Sequence, residues 1–141
     1  MHSRGTPQTM TMLKSYPEPI AQMLATELRP LIQTSFTAGL ARWQIWIDPG
    51  LGFAKGLPRN LEIMKCLPEF QERCGEYPML VGPSRKKFVQ TLCEVESPSK
   101  CLLGTAAITT FAIVQGASML RIHDIELHHV RLVADALTKT Q

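Results

Sequence analysis

The feature that most constrains this chain is a strand, loop and helix pattern that recurs three times. Three short apolar stretches predict strands, and a loop and a stretch of helical periodicity follow each of them. We expect strands at residues 43–48, 79–82 and 119–123, and helices at residues 60–73, 99–116 and 125–138. This spacing is typical of βα units and predicts an α/β fold, in which helices cover a parallel sheet.

The residues before the first strand predict a loop and one helix. Residues 1–19 are polar and rich in glycine and proline, which indicates an irregular segment. Apolar residues three and four positions apart then predict a helix from Ile20, which Pro30 should kink or end. Pro68 should likewise break the second helix, and Asp124 is a candidate cap for the last one.

The number of βα units indicates a part of a larger barrel. A (β/α)8 barrel needs about 250 residues, whereas this chain has 141. We therefore expect the last three to four βα units of a TIM barrel. An open doubly wound sheet is the alternative, although the glycine-rich first turn typical of that fold is missing.

Composition excludes several classes of protein. Hydrophobic residues make up 45% of the chain and charged residues 19%, which excludes a disordered chain. No apolar run reaches the roughly 20 residues of a membrane span. The net charge of +3 is too small to indicate nucleic-acid binding. We expect neither nucleic acid nor a membrane as a partner.

The four cysteines form no CxxC pair, so we do not expect a zinc site. The start of the chain resembles neither a secretory signal nor an arginine-rich leader. These observations favour reduced thiols in an intracellular protein of the cytosol or mitochondrion.

Candidate functional residues follow the strands, because ligands of parallel α/β folds bind beyond the carboxyl ends of the strands. Most of these residues are cationic, which suits an anionic substrate such as phosphate or pyrophosphate. Asp48 is an exception, and its carboxylate could accept paired hydrogen bonds from an amino-substituted heterocycle. Two candidates, His2 and Arg4, lie in the opening loop, which we expect to follow a strand upstream of this segment. The others are Asp48, Phe53, Lys55, Ser84, Arg85, Lys86, Lys87, Arg121, His123 and Asp124.

Each candidate also has a structural interpretation. Asp48 precedes Pro-Gly and could be a turn residue, and residues 85–87 could be the solvated start of a helix. Phe53 could belong to the core, and His123 could be a structural histidine. The pair His128 and His129 is expected at the surface of the last helix.

Five segments, in their order and spacing, together resemble dihydropteroate synthase. They are MHSRGTPQTM (1–10), IDPGLGFAKGLPRN (47–60), VGPSRKKF (81–88), GTAA (104–107) and RIHD (121–124). The resemblance runs from residue 1 to about 138 and covers the C-terminal half of the family's domain. Residues 1–141 are thus expected to be a partial pterin-binding domain, truncated on its N-terminal side, with Met1 as an internal residue. The RWQ of residues 42–44 is more similar to eukaryotic multifunctional folate enzymes.

The resemblance implies a folate-synthesis enzyme. The family condenses 6-hydroxymethyl-7,8-dihydropterin diphosphate with 4-aminobenzoate to give dihydropteroate and pyrophosphate, in a TIM barrel that uses Mg2+. The family is usually a homodimer and is a target of sulfonamides. We expect the Mg2+ ligands to lie mostly outside this segment, and the segment alone to have little activity. The alternative is a pterin-binding module without synthase activity, as in pterin-binding methyltransferases.

The resemblance also implies individual roles. Asp48 resembles the aspartate that binds the pterin, and Lys86 resembles the lysine that reaches the pterin ring. Arg121 and His123 resemble the pair that holds the diphosphate, and with Lys86 they are the expected catalytic residues. Ser84 resembles the serine at the aminobenzoate carboxylate. The remaining expected substrate-binding residues are Phe53 and Lys55, in the loop beside that pocket, and Arg85.

Overall fold

The computed structural model describes residues 1–138 and confirms an α/β architecture with parallel strands. Strand β1, Leu80–Val81, lies at the centre. It pairs in parallel with β2, Met119–Leu120, on one side. On its other side Ile47 forms a parallel bridge to Met79. The three expected strands are therefore neighbours in chain order, and their carboxyl ends point the same way.

Six α-helices accompany these strands in the described part of the chain. None of them is long and apolar enough to cross a membrane. They are α1 (Ile20–Thr37), α2 (Leu57–Lys65), α3 (Leu67–Cys74), α4 (Lys87–Leu92), α5 (Leu102–Val114) and α6 (His128–Thr138). Short 3-10 helices occupy Met10–Met12, Arg42–Gln44, Pro98–Cys101 and Ile125–Leu127.

The expected outer strands are longer than the observed ones. Arg42–Gln44 forms a 3-10 helix, and within residues 43–48 only Ile47 pairs with β1. The Ile47 amide donates to the Pro78 carbonyl at 3.0 Å, and its carbonyl accepts from the Leu80 amide at 2.8 Å. The third predicted strand, residues 119–123, ends as a strand at Leu120. The strands predicted from β-propensity are therefore longer than the segments whose backbone pairs with a neighbouring strand.

The prolines act differently in the two helical regions. The expected end of the helix at Pro30 is wrong, since α1 continues to Thr37 and Pro30 lies on its exposed side, where water can satisfy the freed carbonyl. The predicted helix over residues 60–73 is divided at Cys66, and Pro68 falls in the first turn of α3, where no amide donor is needed. Helix α4 lies outside the predicted helices, because six residues are too short for a periodic pattern, although its first residue falls in the possible helix start at residues 85–87.

The core lies between the strands and the helices α1 and α3. Met79 and Val81 of the central strand region are fully buried, as is Phe70 of α3. Leu24 of α1 and Ile63 of α2 are fully buried in the same cluster. This packing fixes one face of the sheet and holds the loops at the strand ends in place.

Candidate functional site

A cavity of about 380 Å³ opens at the carboxyl ends of the strands. It is the place where a parallel α/β fold binds its ligands. Seven of the eight expected substrate-binding residues line it, all except Lys55. Its walls are Met1, Asp48, Leu51, Phe53, Gly82, Ser84, Arg85, Lys86, Pro98, Arg121 and His123.

Asp48 follows Ile47 directly and is held by a tight turn. Its Oδ1 accepts a hydrogen bond from the Gly50 amide at 2.7 Å, so the turn residue expected from the Pro-Gly sequence also faces the cavity. Burial raises the pKa of the Asp48 carboxyl, and the Gly50 amide and the nearby ammonium groups of Lys86 and Lys55 oppose that shift. The Asp48 side chain therefore both stabilises the turn and lines the cavity.

The turn needs glycine at position 50 for two reasons. Gly50 has φ +69°, and a Cβ placed on it would lie 1.8 Å from the carbonyl oxygen of His2. Leu51, which follows it, is buried and forms part of the cavity wall. The first strand end and the opening loop therefore approach each other at the backbone, without an intervening side chain.

We expect Gly50→Ala to destabilise the protein more than Gly39→Ala. Both glycines have positive φ, so each alanine costs about 1–2 kcal/mol of conformational free energy. Only at Gly50 must the backbone also move, because nothing lies within 4 Å of a Cβ at Gly39. Denaturant unfolding of the two variants measures the difference, and equal losses of stability would show that the close approach to His2 is not rigid.

Lys86 lies against an aromatic ring in the cavity. Its Nζ is 4.2 Å from the centroid of the Phe53 ring, which is a cation–π contact. Burial lowers the pKa of the Lys86 ammonium, Asp48 opposes this shift and Arg121 adds to it. The residue immediately precedes α4, whereas its neighbour Lys87 is exposed and does not line this cavity.

Ser84 and His123 form a hydrogen-bonded pair across two strand ends. The Ser84 Oγ accepts from the His123 backbone amide at 3.2 Å and lies 3.0 Å from Nδ1 of the imidazole. Ser84 is buried, whereas His123 is exposed at the mouth of the cavity. The imidazole is therefore oriented by a fixed hydroxyl while its other edge remains accessible.

Arg85 is paired rather than free. Its Nε donates to Asp124 Oδ2 at 3.2 Å, and its Nη2 makes an ion pair with Asp124 Oδ1. This hydrogen bonding raises the pKa of Arg85 and lowers the pKa of Asp124. The expected role of Asp124 as a helix cap is wrong, since its side chain makes no capping hydrogen bond. Arg85 also has φ +55°, a strained conformation for a residue with a side chain.

Arg121 is a cation of the cavity whose guanidinium is free to bind an anion. Its backbone amide donates to the Val81 carbonyl at 3.1 Å, which fixes the residue at the end of β2. Its side chain is exposed, and no carboxylate of residues 1–138 pairs with it. The Arg121 guanidinium can therefore offer its donors to phosphate oxygens.

Three of the expected cations lie behind the site instead of in it. Lys55 is 5% exposed and binds the carbonyl oxygens of Gly50 and Phe53. His2 is buried, and Arg4 pairs with Glu27 of α1. Sequence reasoning placed these cations on the open end of the strands, but the structure uses them to hold the loop that carries Asp48.

Sequence reasoning missed two residues that support the same loop. The Asn60 side chain is buried, and its Oδ1 accepts from the Gly52 amide at 2.7 Å. Glu27 accepts hydrogen bonds from His2 and Arg4. Asn60 is the last residue of the segment 47–60 that resembles the family, so the sequence did indicate its importance. The periodicity of α1, in contrast, does not distinguish Glu27 from the other polar residues of the helix.

The described residues offer no metal site, and burial keeps two of their thiols unreactive. No group of three or more histidine, cysteine, aspartate or glutamate side chains in residues 1–138 could hold a metal ion. The carboxylate that lines the cavity, Asp48, is bound to the Gly50 amide. The residues present therefore do not fit the Mg2+ that the resemblance implies.

Burial raises the pKa of the free thiols of Cys66 and Cys74 to about 11, which keeps them protonated.

Comparisons with known proteins agree on one family. The family described as "pterin binding enzyme" matches residues 1–123. The chain is 39% identical over 138 residues to a dihydropteroate synthase of Synechocystis, covering 97% of this chain and 47% of that protein. It is 37% identical to a folate synthesis bifunctional protein of Arabidopsis thaliana, covering 89% of this chain and 28% of that protein. The chain thus spans half or less of these relatives' length.

Solved structures give the same result. A dihydropteroate synthase of Yersinia pestis, in complex with a sulfonamide drug, superposes with a TM-score of 0.89 and 31% identity, over 96% of this chain and 48% of that one. The enzyme of Thermus thermophilus, in complex with 6HMPPP, superposes with a TM-score of 0.86 and 33% identity, over 95% and 52% of the two chains. That enzyme was also solved with 4-aminobenzoate.

Proposed function

Because this chain belongs to the family of pterin binding enzymes, we propose that the protein makes dihydropteroate from 6-hydroxymethyl-7,8-dihydropterin diphosphate and 4-aminobenzoate, with release of pyrophosphate. The observation that carries the proposal is that Asp48, Lys86, Arg121 and His123 line one cavity at the strand ends. We also propose that the chain supplies the last three to four βα units of a TIM barrel, since it spans about half of the similar synthases.

Asp48 and Lys86 form the pterin side of the proposed site. A pterin presents a flat edge of N–H donors, and the Asp48 carboxylate lines the cavity with one oxygen bound to the Gly50 amide and the other available. Lys86 is held against the Phe53 ring, and its ammonium can donate a hydrogen bond to the pterin. The two side chains together would fix the orientation of the heterocycle.

Arg121 and His123 form the diphosphate side. In the proposed reaction the aminobenzoate nitrogen attacks the methylene carbon of the pterin, and a carbon–nitrogen bond forms. The carbon–oxygen bond breaks, the diphosphate leaves with the electron pair, and the amine loses a proton. Arg121 and a protonated His123 would stabilise the negative charge that grows on the diphosphate. Each charge-assisted hydrogen bond contributes about 1.5–3 kcal/mol.

Ser84 and Phe53 would form the aminobenzoate side. Ser84 is buried at the end of β1, and its hydroxyl is within reach of a ligand carboxylate in the cavity. Arg85 is held by Asp124, so its positive charge is already balanced and its contribution would be positional. Lys55 supports the loop from behind. A sulfonamide that resembles 4-aminobenzoate would compete for this side of the cavity.

The magnesium ligands and the second subunit of the proposed enzyme lie outside residues 1–138. Because the described residues do not fit Mg2+, any magnesium ligands would come from elsewhere in the complete protein, and no step above depends on them. The complete enzyme would be a homodimer in the cytosol or mitochondrion, and the isolated segment would have little activity.

The test uses the full-length protein that contains these residues. Titration with the pterin diphosphate should show binding that Lys86→Ala and Arg121→Ala each weaken at least tenfold, about 1.4 kcal/mol. Lys87→Ala is the matched control, because Lys87 is adjacent, exposed and outside the cavity. A protein that binds the pterin diphosphate but forms no dihydropteroate with 4-aminobenzoate would be a binding module, and binding unaffected by either substitution would contradict the proposed site.

A further inference from the structure

A buried lysine lies behind the candidate site with all of its donors in use. The Lys55 Nζ is 3.0 Å from the Gly50 carbonyl oxygen, 2.9 Å from that of Phe53 and 3.0 Å from Nδ1 of His2. An ammonium group has three N–H donors, and three acceptors surround this one. Two of them belong to the loop of residues 48–55 that carries Asp48 and Phe53.

The lysine fixes the tautomer of His2. Because Lys55 donates to Nδ1, that nitrogen must be the acceptor, and the imidazole proton must lie on Nε2. The Nε2 atom is 2.9 Å from Oε2 of Glu27, which can accept that proton in a hydrogen bond. The direction of donation therefore runs from Lys55 through His2 to Glu27.

Glu27 is the last acceptor in this chain of hydrogen bonds, and its position is fixed by α1 and Arg4. It lies on α1, the helix packed against the core, and the Arg4 Nε donates to both of its carboxylate oxygens at 3.0 Å. The His2 backbone amide also donates to the Asp48 carbonyl at 2.8 Å. The loop is thus connected to α1 at the residue where it begins and at the lysine where it ends.

We infer that Glu27, His2 and Lys55 act as positioning residues, a hydrogen-bonded chain from α1 that holds the loop of residues 48–55 in the shape that presents Asp48 to the pterin and Phe53 to 4-aminobenzoate. This inference rests on the proposed function for its ligand, but the order of the protons can be measured without any ligand. Asn60 holds the same loop from the side of α2 through the Gly52 amide.

The charges around the chain are consistent with this order. Burial, followed by the charge of Lys55 and then that of Arg4, lowers the pKa of His2 to about 4, while Glu27 opposes the shift. Burial also lowers the pKa of Lys55 to about 8, with Asp48 and Glu27 opposing and Arg4 adding to the shift. The Tyr16 ring lies beside both groups. At neutral pH the lysine is charged and the histidine is not.

The first experiment is nitrogen NMR of His2 in the full-length protein. We expect an unprotonated Nδ1 and a protonated Nε2 at neutral pH, with the imidazole gaining a proton only near pH 4. Because an unfolded histidine titrates near its ordinary value of 6.5, the free energy of unfolding should fall as the pH drops from 6.5 to about 4. Lys55→Met should raise the pKa of His2, and Lys65→Met, at an exposed position, should not.

The second experiment measures the loop and its ligand. Lys55→Met and Glu27→Ala should speed hydrogen exchange at the Phe53 amide, which donates to the Gly50 carbonyl at 3.1 Å. Both should weaken binding of the pterin diphosphate at least about tenfold. Glu27→Gln keeps an oxygen acceptor for His2 and should restore part of the affinity, while Lys65→Met should change nothing.

A protonated Nδ1 in the wild-type protein would overturn the inference. Unchanged pterin affinity and unchanged amide exchange in a folded Lys55→Met variant would do the same. If the wild-type protein binds no pterin diphosphate, the proposed function fails, and the tautomer of His2 and the exchange of the Phe53 amide still decide whether the chain positions the loop.

Discussion

Asp48→Asn is expected to weaken binding of the pterin diphosphate to the full-length protein by roughly 30-fold or more, a loss of at least about 2 kcal/mol. The carboxylate lines the cavity and one of its oxygens is already bound to Gly50, so the free oxygen is the group that can accept from the ligand. Asparagine would place an amide donor against ligand donors in one of its two orientations and would remove the negative charge in both.

Glu72→Gln is the matched control for Asp48→Asn. It removes the same charge from an exposed position on α3, away from the cavity, and should leave the affinity unchanged. Calorimetric or fluorescence titration of both variants measures the difference. Equal affinities for Asp48→Asn and the wild-type protein would show that Asp48 is only a turn residue, the structural interpretation that its sequence also allows.

Phe70→Ala is expected to reduce the free energy of unfolding by about 3–5 kcal/mol. Phe70 is 0% exposed and lies in the core cluster formed by α1, α3 and the central strand. Truncation leaves a cavity there, because close-packed neighbours relax only in part. This is the largest effect on stability that we expect from a single substitution of these residues.

Phe111→Ala makes the same chemical change where the ring is 41% exposed, on α5, and is expected to cost about 1 kcal/mol or less. Denaturant unfolding of the full-length variants, with comparable dependence on denaturant concentration, gives both values. Similar losses for the two substitutions would mean that the packing around Phe70 is looser than the structure indicates.

The grouping of the candidate residues around one cavity could be predicted from the sequence because it follows from one rule of parallel sheets. Asp48, Ser84 and Arg121 are far apart in sequence, but each follows a predicted strand. Since parallel strands end at the same edge, the rule brings them together without knowledge of side-chain packing. This result does not depend on the exact strand lengths. The bridge at Ile47 places Asp48 at the edge of the sheet as a six-residue strand would.

The roles of the charged residues could not be predicted in the same way. Whether a cation is free to bind a ligand depends on partners elsewhere in the chain, such as Asp124 for Arg85, 39 residues away, or Glu27 for Arg4, 23 residues away. No periodic pattern reports such pairs. Lys55 illustrates the point most clearly, because its neighbours in sequence indicate a substrate loop while its side chain turns inward to bind carbonyl oxygens.

The hydroxyl of Ser84 has a single proton, and the protonation state of His123 determines where that proton can go. With a neutral imidazole whose Nδ1 is an acceptor, the hydroxyl proton is directed toward the ring. Once the imidazole is charged, Nδ1 becomes the donor. The Ser84 hydroxyl can then rotate and donate its hydrogen bond to another acceptor in the cavity. A negative charge that favours the protonated imidazole of His123 would therefore reverse the direction of the hydrogen bond between His123 and Ser84.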